Sequence, residues 1–247
     1  MTVFKREFIK NLKALLIWTV AMTGMLALML VQYKAMGSGM DSSSYTDGFK
    51  NAMGMDKVDM NSFLGYYAIK ASVMITLFGG IYAAILGSSL VIKDESLLAR
   101  PVSRGRIAVE RILAAAANVF ILNLTILVTI LSIEKDNIIY WILLGHFLLH
   151  MVFVAVGFLT ATFKMRSKAP MMIPIGVVLA TYVLTLVYGL SDKMEFAKYL
   201  TPFYYTDVKD IIVENTFNTA NLLAVCAMIL MCSAAGYIVY TKRDMPS

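Results

Sequence analysis

Two histidines, His146 and His150, stand four residues apart inside one long apolar run, and two asparagines, Asn118 and Asn123, sit inside another. A spacing of four puts both imidazoles on one helical face, as a pair of metal ligands or a proton relay would need. No carboxylate or cysteine accompanies them at useful spacing, so a ligand set is incomplete. The plainer reading is polar side chains that hydrogen-bond between helices in an apolar surrounding. Cys226 and Cys232 are six positions apart, about 9 Å along a helix axis, too far for a disulfide, and read as small apolar fillers. No nucleophile-base pattern is present, which argues against an intramembrane enzyme. No G-x-x-x-x-G-K-[ST] run occurs either, so the chain lacks a phosphate loop for ATP. No catalytic residue, cofactor ligand or metal ligand is therefore expected on this chain.

A different chemistry is suggested by KDESLLARPVSRGRIAVERI, Lys93 to Ile112, a charged island between apolar stretches. Asp94, Glu95 and Ser96 can cap a short helical turn, Pro101 would end it at Arg100, and Ser103 can cap the helix that follows. Leu97 and Leu98 then form an apolar knob ringed by charge, the mark of a docking surface. The alternative is that these are ordinary loop residues whose cations only set membrane orientation.

The elements that position this island follow from composition. The chain has 247 residues, 59% hydrophobic and 15% charged, with mean hydropathy +0.72. A soluble domain carries nearer a quarter charged residues, so the expected fold is all-α and polytopic. Six windows reach the roughly 20 apolar residues that a span needs: Ala14–Tyr33, Tyr67–Ile92, Ile107–Ile133, Ile138–Phe163, Ala169–Leu190 and Ala220–Tyr240. They make one transmembrane domain over residues 1–247, with 34–66 and 191–219 as outer segments and 93–106 as an inner loop. With the N-terminus inside, the inner segments hold 14 of the 22 Lys and Arg residues, and the outer segments hold 11 of the 16 acids. Both termini are then cytoplasmic. The net charge of +6 reads as topology and contact with anionic lipid, and no nucleic-acid partner is expected.

Residues 1–13 place Phe4, Phe8, Leu12 and Leu15 or Leu16 at helical spacing among Lys5, Arg6, Lys10 and Lys13, which suits a helix lying in the inner interface; a frayed basic tail is the other reading. The first half of 34–66 is rich in Gly, Ser, Met and Asp and reads as mobile, the second half as a short helix leading into span two. In YLTPFYYTDVKDIIVENTF, Thr201 can cap a helix with Pro202 at its first position. That segment either dips back between spans five and six as a re-entrant hairpin or lies on the surface as an amphipathic helix. Gly79, Gly80, Ala83, Ala84 and Gly87 give span two repeated small-x-x-x-small spacing, which lets helices meet closely.

The run Glu95-x-Leu97-Leu98-x-x-Pro101-x-Ser103-Arg104-x-x-Ile107 resembles the inner loop of permeases of ATP-binding cassette exporters of the type V, or "type two", ABC family. YLTPFYY, Tyr199 to Tyr205, resembles the family's outer re-entrant segment, and YTKRDMP, Tyr240 to Pro246, its basic-acidic stop after the sixth span. The resemblance implies a coupling helix at Glu95, Leu97, Leu98, Pro101, Ser103 and Arg104, with the two leucines filling a groove on a separate ATPase. It implies two ATPase copies holding the ATP and magnesium, and a second permease chain, identical or a sister. The expected location is a bacterial plasma membrane, and the expected role is export of a hydrophobic or amphipathic substrate such as a peptide or drug. Spans one, two and five would line the path, with Met22, Met25, Met29, Tyr182 and Tyr188 as candidates. Two other classes remain: a channel or secondary transporter working without ATP, and a non-transporting immunity or sensor protein that binds peptide. The absence of an internal repeat and of a mid-span Asp or Glu weighs against the first.

Overall fold

The computed structural model describes residues 2–36, 46, 48, 50, 53–91, 103–163, 172–190 and 192–242. Six helices in it are long and apolar enough to cross a membrane. They are α1 (Val3–Met36), α2 (Phe63–Ser89), α3 (Arg104–Leu131), α4 (Ile138–Phe163), α5 (Met172–Leu190) and α6 (Thr219–Lys242). No strand occurs among the described residues. The start of α1 meets the start of α3, where Phe4 N donates to Glu110 at 3.0 Å. The end of α6 meets the same place, since a β-carbon on Gly105 would run into the Tyr237 hydroxyl. This is the terminal end of the bundle. The opposite, loop end carries the turn between α3 and α4, where Asp136 Oδ1 accepts from Ile138 N at 3.0 Å.

α4 is the central helix. Ile139, Leu149, Phe153 and Phe158 are each almost fully buried, whereas α5 and α6 keep mostly open faces. In lipid, helices gain little from hiding apolar surface from their surroundings, so close contact must come from small residues. α2 supplies them against α4. A β-carbon on Gly87 would overlap the Val154 carbonyl, one on Gly157 the Ala84 carbonyl, and one on Gly79 the His150 ring. The small-residue stripe of the second span is thus a packing surface.

α1 differs from expectation. Residues 1–13 are not a helix of their own, because α1 runs unbroken for 34 residues, about 51 Å against a hydrocarbon core of about 30 Å. No glycine or proline precedes Gly24 to interrupt it. Its first turns stand on α3, and the buried face is Val3, Glu7, Asn11 and Leu15, four residues apart. The Phe4–Phe8 pair stacks beside that face, with ring centres 6.1 Å apart.

α2 begins at Phe63, four residues before the expected Tyr67, because Ser62 caps it by accepting from Gly65 N at 3.0 Å. Tyr67–Ala71 forms a π-helical turn within it. Before it, Gly54 takes φ +60, a left-handed conformation that glycine adopts at no steric cost. Most of residues 37–52, and all of 92–102, 164–171 and 243–247, lie outside the described residues, so the mobility expected for the first half of 34–66 falls there too.

After α5 the chain turns back along that helix. Asp192–Leu200 is a 3-10 helix, followed by two short helices, Pro202–Tyr205 and Val208–Glu214. Thr201 caps the first by accepting from Phe203 N, with Pro202 in the first turn, as its sequence anticipates. Phe203 packs against Phe153 of α4 (5.4 Å between ring centres) and Tyr182 of α5 (5.6 Å). Tyr182 lies eight residues from the end of α5, so Phe203 sits about 12 Å in from that end. This is the arrangement of a segment folded back into the bundle, with Thr201 and Thr206 buried.

Candidate functional site

Trp18, Met22, Met25 and Met29 recur at intervals of three and four along α1 and face Ala71, Met74, Ile75 and Phe78 of α2, spaced in the same way. Between the two stripes is a partly open, almost wholly apolar groove of about 300 Å³. That volume is at the small end of ligand pockets. Both ends of the groove are braced. Trp18 packs on Tyr82, ring centres 5.5 Å apart, and the Tyr66 hydroxyl donates to the Met29 carbonyl at 2.9 Å. Met22 is buried, and Met25 and Met29 are partly exposed along the groove. Unbranched thioethers suit a wall that must fit varied shapes, since three rotatable bonds let them refill irregular space.

The two candidate tyrosines lie elsewhere. Tyr182 helps line a small cavity of about 60 Å³ whose mixed wall includes Ser72, Thr76, Thr206 and Asp207. Residues 68, 72, 73 and 76 of α2 face that cavity, while 71, 74, 75 and 78 face the groove. One helix therefore separates the methionines from Tyr182. Tyr188 stacks edge-on with Tyr204 at 6.1 Å, and Thr185 shares a 3.0 Å hydrogen bond with Thr201. Within one chain, these side chains brace the folded-back segment and do not reach the groove.

His146 and His150 are fully buried, and each has partners on neighbouring helices. His150 Nδ1 lies 3.1 Å from the Asn123 amide nitrogen, and its Nε2 lies 3.2 Å from the Ile75 carbonyl. Since the amide nitrogen can only donate and the carbonyl only accept, His150 is the neutral ring with its proton on Nε2. His146 Nε2 is 3.0 Å from the Tyr67 hydroxyl at the π-helical turn. Among the described residues no group of three or more His, Cys, Asp or Glu side chains could hold a metal ion. The pair joins α2, α3 and α4 by hydrogen bonds.

At the terminal end, Glu95, Leu97, Leu98 and Pro101 lie outside the described residues, and Ser103 and Arg104 lie within them, both exposed. Ser103 caps α3, its hydroxyl accepting from Arg106 N at 3.4 Å. Just behind it is a polar cluster that sequence reading missed. Arg111 is 3% exposed, with Nε 3.5 Å from the Glu7 carboxylate and Nη1 donating to the Leu90 carbonyl at 2.6 Å. Asn11 donates to the Glu7 carbonyl at 3.0 Å, and Lys10 pairs with the Glu7 carboxylate at 3.2 Å. Arg106 pairs with Glu110 at 2.8 Å, and that acid also receives Phe4 N. Both ends of the 92–102 loop are thereby tied to α1. One signal was available: Glu7 is the only acid among the first 40 residues, set in a cluster of cations.

Six apolar spanning helices define a polytopic, membrane-embedded protein, and an apolar groove lies between two of them. Residues 10–241 match the family model described as "Multidrug efflux system permease Rv1217c, C-terminal domain". The chain belongs to that family and has the role of a permease, a transport protein rather than an enzyme. A comparison with the curated proteins finds no individual match.

Proposed function

We propose that this chain is the membrane subunit of an ATP-driven exporter that moves hydrophobic or amphipathic compounds, drugs among them, out of a bacterial cell. The observation that carries the reading is the methionine-lined groove between α1 and α2 in a member of an efflux permease family. The energy would come from two copies of a separate ATPase holding ATP and magnesium, because the chain has no phosphate loop of its own. Two permease chains, identical or sister, would assemble around the path. The cation-rich segments, both termini included, would face the cytoplasm.

Coupling would run through the 93–106 loop, with Leu97 and Leu98 seated on the ATPase and Glu95 and Arg104 setting register. The buried Arg111–Glu7 pair supports this, because a push on the loop would reach α1, one wall of the groove, through ionic and hydrogen-bonded contacts. The test is co-purification from a host expressing the chain with its neighbouring ATPase, followed by ATP-driven uptake of a fluorescent hydrophobic cation into inverted vesicles. Uptake that is lost in Leu98→Asp with Arg104→Glu supports the reading. Unchanged assembly and uptake in that variant, or no captured ATPase, would refute it.

A further inference from the structure

Lys70 lies seven residues inside α2, about 10 Å along a helix otherwise suited to lipid. It is half-buried, and its ammonium stands 5.5 Å above the centre of the Tyr66 ring. Among the described residues no carboxylate pairs with it. The three N–H donors of an ammonium are only partly satisfied by a ring face. An intramembrane cation of this kind marks a site by default and calls for an anionic partner.

Its position ties it to the groove. Lys70 immediately precedes Ala71 and lies four residues before Met74, both groove-lining residues. Tyr66, whose ring lies under the ammonium, donates to the carbonyl of Met29, a groove-lining residue of α1. Tyr33 packs on the other side, its ring centre 5.2 Å from that of Tyr66. The cation thus lies beside the loop end of the apolar trough, outside its lining, and is joined to it through Tyr66 and Met29. A molecule with an alkyl or aryl body and one anionic head complements both parts, the body lying along the methionines and the head meeting Lys70.

From this we infer that the groove binds amphipathic anions, with Lys70 as the residue that selects the head group. The inference rests on the groove being the substrate site and narrows its substrate class. The rival explanation is a lysine that snorkels to the lipid interface and takes no part in ligand choice.

Trp18 lines the groove, and Trp141 on α4, the only other tryptophan, is exposed and not among the groove-lining residues. In a Trp141→Phe background in phosphatidylcholine nanodiscs, Trp18 fluorescence is titrated with three quenchers sharing one chain-brominated alkyl group. Their heads are a sulfonate, an alcohol and a trimethylammonium. The sulfonate is expected to half-quench at about a fivefold lower concentration than the alcohol, the worth of one cation near a membrane surface, and the trimethylammonium at a higher one. Lys70→Gln should bring the sulfonate and alcohol together, and Lys70→Arg should keep them apart. Equal quenching by sulfonate and alcohol in the unaltered groove overturns the inference without any variant at Lys70. A sulfonate preference that survives Lys70→Gln overturns it as well. The titration needs no ATPase. Failed ATP-driven uptake with an intact preference would therefore sink the proposed function alone, and uptake of neutral drugs without a preference would sink this inference alone.

Discussion

Arg111 and Glu7 meet 104 positions apart in sequence, 3.5 Å between Nε and a carboxylate oxygen, with both side chains almost wholly buried. The pair fastens the first turns of α1 to the start of α3, and the hydrogen bond from Arg111 to Leu90 adds the end of α2. Three helices that would otherwise touch mainly through apolar side chains are thus held in one register at the terminal end.

Breaking a buried pair from one side typically costs about 3–5 kcal/mol, and here somewhat less, because Lys10 still pairs with Glu7 and Leu90 still accepts from Arg111. Glu7→Gln and Arg111→Leu should each lower the thermal midpoint of the purified protein sharply. A joint Glu7→Leu and Arg111→Leu variant should recover much of the loss, because no buried charge of the pair remains and Lys10 is solvent-exposed. Equal losses in the single and double variants would show that the pair is not coupled.

The glycines of the spanning helices divide into packing and permissive positions. Gly79→Ala would drive a methyl group into His150 and Gly87→Ala one into the Val154 carbonyl. Both should fail to yield a monodisperse protein. Gly24→Ala and Gly176→Ala meet nothing within 4 Å. They should be neutral or stabilise by up to about 1 kcal/mol, as alanine does over glycine in a helix. Size-exclusion profiles and thermal midpoints read the contrast.

Filling the groove tests its role apart from the fold. Met25→Trp places bulk where a partly exposed methionine lines open space, and it should reduce uptake of large substrates several-fold while leaving the melting temperature nearly unchanged. Tyr182→Ala should do the reverse within one chain, loosening Phe203 and lowering stability by about 2 kcal/mol, less than the deletion of a fully buried ring because Tyr182 is only partly buried.

At the loop end, Lys57 donates to Asp210 at 2.7 Å and links residues 53–62 to the helix Val208–Glu214. Burial by itself would lower the Lys57 pKa, but the hydrogen bond and charge of Asp210, with Asp207 and Asp56 nearby, outweigh it and hold the ammonium above its ordinary value of 10.5. A group raised in this way stabilises fully below its unfolded pKa and loses that contribution as pH climbs through the folded one. Lys57→Ala should therefore cost under about 1 kcal/mol, as half-exposed pairs do. The difference from the parent protein should be flat through neutral pH and shrink only above about pH 10.5. A difference that vanishes near neutrality would point to another cause.

Much of the architecture was legible in composition. The Ile138–Phe163 span has the expected limits, and the second and third start a few residues early because Ser62 and Ser103 cap them. The Thr201-Pro202 signal marked a real helix start, and the Gly79–Gly87 stripe a real contact. Residues 1–13, read alone, look amphipathic; in the structure they continue into α1, and two of their polar residues, Glu7 and Asn11, are buried against α3, which a one-dimensional pattern does not contain.

By itself, then, the sequence determined how many times the chain crosses lipid and where it can bend, since apolar length, proline and capping side chains act locally and need no partner. Which faces of those crossings meet was decided only in three dimensions. Met22, Met25 and Met29 share a groove with Phe78, while Tyr182 sits across α2 from them, because a helix directs residues three and four apart to one side and those one or two apart to another. Neighbours across helices depend on rotation about each axis, and that angle is set by contacts such as Gly79 with His150 and Glu7 with Arg111.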